Sequence, residues 1–197
     1  MTIEQNYQRV LNEIRLAEER SGRPSGSVKI VGVTKTVGRD AVDRGYEAGL
    51  RDFGENRVQD AREKFAVPLA PDAHLHLIGY LQTNKARDAV ALFDTIHSVD
   101  RPELIQALER RAALLDKSLR ILIQVNIAAE EQKHGCEPED AAALARLTIE
   151  CPHLDVCGLM TIAPLVDDPE AARPVFRGLR QLRDEIAATD PRFVLPE

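Results

Sequence analysis

A lysine at the end of an apolar run is the first candidate for chemistry in this sequence. Residues 28–34 are mostly β-branched or small, and Lys35 follows them. Such a run predicts a strand buried on both faces, as in parallel sheets and barrels. Because alternate residues share a face, Lys35 belongs with Val31 and Val33, at the strand end where parallel α/β folds carry their chemistry. A lysine amine partly withdrawn from water is a nucleophile toward aldehydes, whereas a lysine at the surface is simply solvated.

Two further candidates occur near the ends of other predicted strands. Asn56 follows a short predicted strand at residues 50–54. Its amide is suited either to hydrogen-bonding a ligand or to forming a turn. Met160 lies in a predicted strand at residues 156–162, where a thioether packs against an aromatic ring or fills the core.

Two histidines raise the alternative of a metal site. His74 and His76 stand at i and i+2, so they share one face of a strand, as metal ligands often do. They open the predicted strand at residues 74–79, at the end opposite to the expected site. No cluster of further ligands follows, so we expect no stoichiometric metal and keep a metal-dependent hydrolase as a second alternative.

The composition is that of an ordinary globular protein. The chain has 197 residues, 44% of them hydrophobic and 29% charged, and a formal net charge of −6. A single domain is therefore expected, and the acidic balance argues against binding to nucleic acid. The sequence has neither a membrane-spanning run nor a signal-peptide core, which predicts a cytoplasmic protein. Three cysteines form no paired framework and are expected to be reduced structural thiols.

The elements that must position these residues alternate between strand and helix. Strands are predicted at residues 28–35, 50–54, 74–79, 95–99, 119–127 and 156–162. Helices are predicted at residues 3–21, around Val42 and Tyr46, and at residues 57–66, 84–92, 101–117, 138–150 and 170–188. This alternation predicts βαβ units with parallel strands.

The nature of the α/β fold follows from what the first strand lacks. No Gly-x-Gly-x-x-Gly and no Gly-Lys-Ser/Thr motif follows it, which disfavours the nucleotide-binding doubly wound folds. A (β/α)8 TIM barrel is the better prediction. Such barrels have eight strands and typically about 250 residues, so only about six of the strands are present in this chain.

Six short motifs occur in order along the chain. They are residues 33–36 (VTKT), 52–56 (DFGEN), 76–85 (HLIGYLQTNK), 96–100 (IHSVD), 124–126 (QVN) and 158–162 (GLMTI). Together they closely resemble the YggS/PROSC family of pyridoxal phosphate homeostasis proteins, over essentially the whole chain. The resemblance implies the barrel of the alanine racemase N-terminal type without that enzyme's additional domain. It also implies a carrier or regulator of vitamin B6, without established catalytic turnover.

The resemblance assigns roles to the candidate residues. Family members hold pyridoxal 5'-phosphate as a Schiff base on the lysine that corresponds to Lys35. By the same resemblance, Asn56 lies beside the cofactor and Met160 packs near the pyridine ring. His76 is expected to line the site, whereas a lone histidine in such a strand is more often a hydrogen-bonded core residue.

The loop at residues 131–135 resembles a family segment with a lysine near Lys133, and the resemblance implies that this lysine receives or relays the cofactor. The alternative is an exposed lysine of a charged loop that is simply solvated. The expected partners are the cofactor and apo-enzymes that use it, and the expected state is a monomer.

One departure from the family pattern lies at the end of the chain. Family members continue with a seventh and an eighth strand, which supply phosphate-binding amides and hydroxyls and an arginine that faces the pyridine nitrogen. This chain ends at residues 195–197 (LPE). We therefore expect either the truncated product of a longer gene or a protein with impaired stability and cofactor affinity.

A racemase is the first alternative function. Racemisation needs an acid and a base on opposite faces of the bound amino acid. In alanine racemase these groups are the lysine and a tyrosine of the second domain, which has no counterpart in these 197 residues.

Overall fold

The computed structural model describes residues 1–128 and 134–196. It contains two compact units, residues 1–76 and 77–197. The first holds helices α1 (Ile3–Ser21), α2 (Arg39–Glu47) and α3 (Val58–Lys64) and strands β1 (Val31–Val33), β2 (Asp52–Glu55) and β3 (His74–Leu77), the last residue of which begins the second unit. The expectation of a single domain stays a prediction.

The first helix has the ends that its sequence predicts. The amide of Gln5 donates to Thr2 Oγ1 at 3.2 Å, and the amide of Thr2 donates to Gln5 Oε1 at 3.0 Å. These reciprocal bonds form a capping box. At the other end, Gly22 adopts the left-handed conformation with φ 67°, which closes a helix without steric penalty.

The first strand is shorter and less buried than predicted. β1 begins at Val31, whereas the sequence predicted a strand from residue 28. The preceding backbone is held by Glu18, whose carboxylate accepts from the amides of Gly26 at 2.9 Å and Val28 at 2.8 Å. Because that segment bonds to a helix side chain, it does not join the strand ladder. Val33 is 50% exposed, so the expectation of burial on both faces is wrong.

The Glu18 contact predicts a pH-dependent contribution to stability. The hydrogen bond from Gly26 is the largest cause of a lowered pKa for Glu18, and burial opposes it. A lowered carboxyl pKa in the folded state stabilises the protein above the unfolded value of 4.5 and loses that effect as the pH falls through the folded value. Glu18→Gln should therefore flatten the decline of melting temperature between about pH 6 and pH 3.

The matched control for that experiment is Glu19→Gln, because Glu19 lies next to Glu18 in α1 and is exposed. Thermal unfolding followed by circular dichroism at a series of pH values measures the effect. A pH profile of Glu18→Gln that parallels the parent chain and the Glu19 variant would contradict this account of the loop.

The second unit holds three parallel strands and four helices among its described residues. They are β4 (Thr95–Val99), β5 (Leu119–Gln124), β6 (Leu154–Met160), α4 (Ala86–Leu92), α5 (Pro102–Leu114), α6 (Pro138–Ile149) and α7 (Arg173–Thr189). β5 pairs in parallel with β4 on one side and β6 on the other. Short 3-10 turns precede α4 and α7 at Thr83–Lys85 and Pro169–Ala172. The predicted alternation of strands and helices is confirmed, and β4 has the predicted bounds.

The core of the second unit lies where the helices cover these strands. Seven apolar residues of α5, β4 and β5 are almost completely buried, namely Ile96, Leu104, Ile105, Leu108, Leu119, Ile121 and Ile123. Burial of such side chains is the main stabilising contribution to folding. No helix among the described residues is long and apolar enough to cross a membrane.

Candidate functional site

Lys35 lies in a tight turn directly after β1. The amide of Val37 donates to the carbonyl of Thr34 at 3.1 Å, so Lys35 and Thr36 are the central residues of the turn. The amide of Thr34 in turn donates to the carbonyl of Gly54 at 2.9 Å and extends the pairing of β1 with β2. The turn is thereby fixed to the carboxyl end of a parallel strand pair, as predicted.

The side chain of Lys35 is exposed. Within the described parts of the chain, its ammonium group takes part in no hydrogen bond and no ion pair. The expectation that this amine is partly withdrawn from water is therefore wrong for this structure, in which Lys35 lies in the turn that follows the last residue of β1. Its accessibility to an incoming aldehyde is correspondingly high.

Asn56 occupies the matching position on the neighbouring strand. Val33 lies opposite Gly54 in the register of β1 and β2, and Lys35 and Asn56 each follow their paired residue by two positions. Asn56 is half-buried. Its side-chain amide has no hydrogen-bond partner in residues 1–128 or 134–196. The structure therefore places the two predicted residues at the ends of adjacent strands, each with an uncommitted polar group.

A buried network of hydrogen bonds holds the turn, and its residues were not predicted from the sequence. Glu55 is fully buried, and its Oε1 atom accepts from Thr34 Oγ1 at 2.7 Å and from Lys64 Nζ at 2.6 Å. Lys64 Nζ also donates to the backbone carbonyl of Thr34 at 2.5 Å. Two features of the sequence could have indicated this network, a glutamate at the end of an apolar strand and a lysine on the next helix. A charge that is buried requires a partner of opposite charge.

His76 is engaged at the other end of β2. It is 2% exposed, and its Nε2 atom lies 2.9 Å from Oδ1 of Asp52, the first residue of β2. Asn56 follows the last residue of that strand. The structure therefore does not bring His76 together with Lys35 and Asn56, and it gives the imidazole a carboxylate partner inside the first unit. His74, two residues earlier, is exposed.

The remaining predicted site residues lie in the second unit or outside the described residues. Met160 is the last residue of β6 and is half-buried, and its carbonyl accepts from the amide of Val125 at 2.8 Å. Lys133 lies outside the described residues. His134, which follows it, stacks on the ring of Tyr80 with 4.2 Å between the ring centroids.

A second polar cluster organises the motif at residues 76–85. Arg101, directly before α5, donates to the carbonyl of Leu81 at 2.7 Å and to Thr83 Oγ1 at 3.2 Å. Its guanidinium also lies 5.0 Å from the centroid of the Tyr80 ring, within cation–π range. These bonds hold the segment after β3 against the carboxyl end of β4.

The three thiols do not contribute a nucleophile to either cluster. Cys136, Cys151 and Cys157 are buried and free of disulfide bonds, as expected. Burial, reinforced by Asp140 and Asp100, raises the pKa of the Cys136 thiol to about 12. Such a thiol stays protonated at neutral pH.

Comparison with known proteins decides the family. A family model for the alanine racemase N-terminal domain matches residues 5–195. The pyridoxal phosphate homeostasis protein of Aquifex aeolicus is 42% identical over 178 residues, which are 90% of this chain and 78% of that protein. This chain belongs to the pyridoxal phosphate homeostasis protein family. The predicted family resemblance is confirmed, and relatives of this kind are named as homeostasis proteins rather than as enzymes.

Solved structures of this family and of alanine racemases share the fold. PipY of Synechococcus elongatus, solved with pyridoxal phosphate bound, has a TM-score of 0.81 and 35% identity and covers 98% of this chain and 86% of its own. An alanine racemase of Clostridium difficile has a TM-score of 0.72 at 13% identity and covers 87% of this chain and 45% of its own. The predicted α/β fold of the alanine racemase N-terminal type is thereby confirmed.

Proposed function

We propose that this family member binds pyridoxal 5'-phosphate through Lys35 and acts in the homeostasis of that cofactor. The observation that carries the proposal is a pair of polar side chains at the carboxyl ends of β1 and β2, the amine of Lys35 and the amide of Asn56. Within the described residues, neither of these groups makes a hydrogen bond or an ion pair. The names of the homeostasis relatives and the bound cofactor of PipY support it.

The residues of the first unit fit the chemistry of this cofactor. Pyridoxal 5'-phosphate supplies an aldehyde with which an unprotonated amine condenses to a Schiff base, with release of one water. Lys35 provides the amine, and its exposure gives the aldehyde access. Asn56 provides an amide N–H for the phenolate oxygen side of the ring.

The proposed roles of Met160 and His76 rest on the family resemblance alone. For Met160 the role is packing near the pyridine ring, which its half-burial at the end of β6 permits. For His76 the role is lining, and its bond to Asp52 at the start of β2 speaks for a structural part in the first unit instead. His76→Asn should accordingly affect stability more than cofactor affinity.

We infer that this chain carries pyridoxal 5'-phosphate or regulates its supply, and that it does not catalyse a reaction with it. Cofactor exchange with apo-enzymes, a monomeric state and a cytoplasmic location belong to the same proposal. Likeness to alanine racemase at 13% identity concerns the fold alone. The described residues include no group of three or more His, Cys, Asp or Glu side chains that could hold a metal ion, so no observation favours the hydrolase alternative.

A binding and turnover experiment tests the proposal. The purified chain is incubated with pyridoxal 5'-phosphate, freed of excess and examined by visible absorption, and is then assayed for interconversion of alanine enantiomers. We expect an absorption band of the lysine adduct, transfer of the cofactor to an added apo-aminotransferase and no racemisation. A folded chain that acquires no band contradicts the binding proposal, and steady racemisation contradicts the non-catalytic one.

A further inference from the structure

The turn that carries Lys35 has an attachment in addition to the strand pairing. The carbonyl of Thr34 accepts two bonds, one from the Val37 amide at 3.1 Å and one from Lys64 Nζ at 2.5 Å. This carbonyl and the amide nitrogen of Lys35 belong to one planar peptide group. Lys64 therefore fixes the orientation of the peptide plane that joins Thr34 to Lys35.

Lys64 is itself held in place by a charge. Its side chain is 12% exposed, and its Nζ lies 2.6 Å from Oε1 of Glu55, whose side chain is fully buried. Thr34 Oγ1 donates to the same oxygen at 2.7 Å. Glu55, Lys64 and Thr34 thus form a closed set of contacts that joins the end of β2, the last residue of α3 and the turn.

The network is poorly explained as a device for stability. Desolvation of two charges offsets most of their attraction, so buried ion pairs are weak evidence for a stabilising role. Within the described chain, the second carboxylate oxygen of Glu55, Oε2, is buried and has no hydrogen-bond partner. A buried carboxylate oxygen without a protein partner adds a desolvation cost to the network. Both donors instead meet on the oxygen that faces the turn.

We propose that Lys64 is a positioning residue for Lys35. It acts through the Thr34 carbonyl and holds the turn so that the Lys35 amine meets the cofactor aldehyde in one orientation. This proposal rests on the proposed attachment of the cofactor to Lys35. A near-attack geometry of this kind contributes to affinity and rate without any contact between Lys64 and the cofactor.

The test compares Lys64→Met with Lys29→Met. Both variants remove one positive charge from a lysine of the first unit, but Lys29 Nζ lies 3.4 Å from Asp52, at the opposite end of β2 from the turn. In Lys64→Met we expect the apparent affinity for pyridoxal 5'-phosphate, measured from the adduct that forms, to fall about tenfold or more. In Lys29→Met it should stay within about twofold.

Two further readouts separate positioning from a structural effect. Pyridoxal, which lacks the phosphate, should lose affinity for Lys64→Met by the same factor, because the network acts on the amine and not on the phosphate. Visible circular dichroism per mole of adduct reports how rigidly the achiral cofactor is held, and it should fall in Lys64→Met only. All measurements are made under conditions in which far-ultraviolet circular dichroism shows that the variants are folded.

Equal effects in the two variants, or unchanged affinity and dichroism in Lys64→Met, would overturn the proposal. If Lys64→Met does not fold, Glu55→Gln replaces it, since this variant removes the charge that holds Lys64 and keeps the shape of the side chain. In Glu55→Gln we expect the same fall in affinity for the cofactor, and an unchanged affinity would again contradict the proposal. Absence of an adduct in the parent chain would instead refute the attachment to Lys35.

Discussion

Lys35→Ala should abolish the visible absorption band that the parent chain acquires with pyridoxal 5'-phosphate. The amine is the atom that condenses with the aldehyde, so its removal leaves only non-covalent binding. The side chain is exposed and uncommitted within the described residues, which predicts that this variant folds like the parent chain. Surface substitutions of this kind change stability by no more than about 0.5 kcal/mol.

Two variants control this experiment. Lys35→Arg retains a positive charge at the turn but lacks a condensing amine, and it should also show no band. Lys29→Ala removes a half-exposed lysine whose ammonium lies 3.4 Å from Asp52, at the opposite end of β2 from the turn. This variant should keep the band. A band of parental strength in Lys35→Ala would show that another amine holds the cofactor.

Leu108→Ala should produce a large loss of stability. Leu108 lies in α5 and is fully buried in the core of the second unit. Truncation of a buried leucine removes its burial energy and leaves a cavity, so the free energy of unfolding should fall by about 2–5 kcal/mol. Equilibrium unfolding in urea measures this difference.

The same substitution at the end of the same helix is the control. Leu114 also lies in α5 but is 73% exposed. Leu114→Ala should change the free energy of unfolding by about 0.5 kcal/mol or less. Equal losses in the two variants would contradict the burial of Leu108 and the exposure of Leu114 on α5.

The parts of the fold that local sequence determines were predicted well. Helix α1 has its predicted bounds, Ile3–Ser21, and the capping box of Thr2 and Gln5 that begins it depends on residues only three apart. The strand at Thr95–Val99 is bounded by turn residues and was predicted with its observed bounds. Ordered motifs likewise predicted the family, because each combines a strand end with a particular polar residue.

Features that depend on distant partners were not predicted. The backbone of residues 26–28 bonds to Glu18 in α1, and this contact removes Val28 from the predicted strand. Periodicity also gave no indication that Lys64 reaches the Thr34 carbonyl, since 30 positions separate them. His76 was predicted to line the site, but its bond to Asp52 depends on the register of β3 beside β2. Such pairings require the tertiary structure.

The most direct test of the central claim is to map the attachment site chemically. The parent chain is loaded with pyridoxal 5'-phosphate, treated with borohydride to reduce the adduct to a stable secondary amine, digested and analysed by mass spectrometry. We expect one predominant modified peptide, with the added group on Lys35. Predominant modification of another lysine, or a folded chain with no modified peptide, would contradict it.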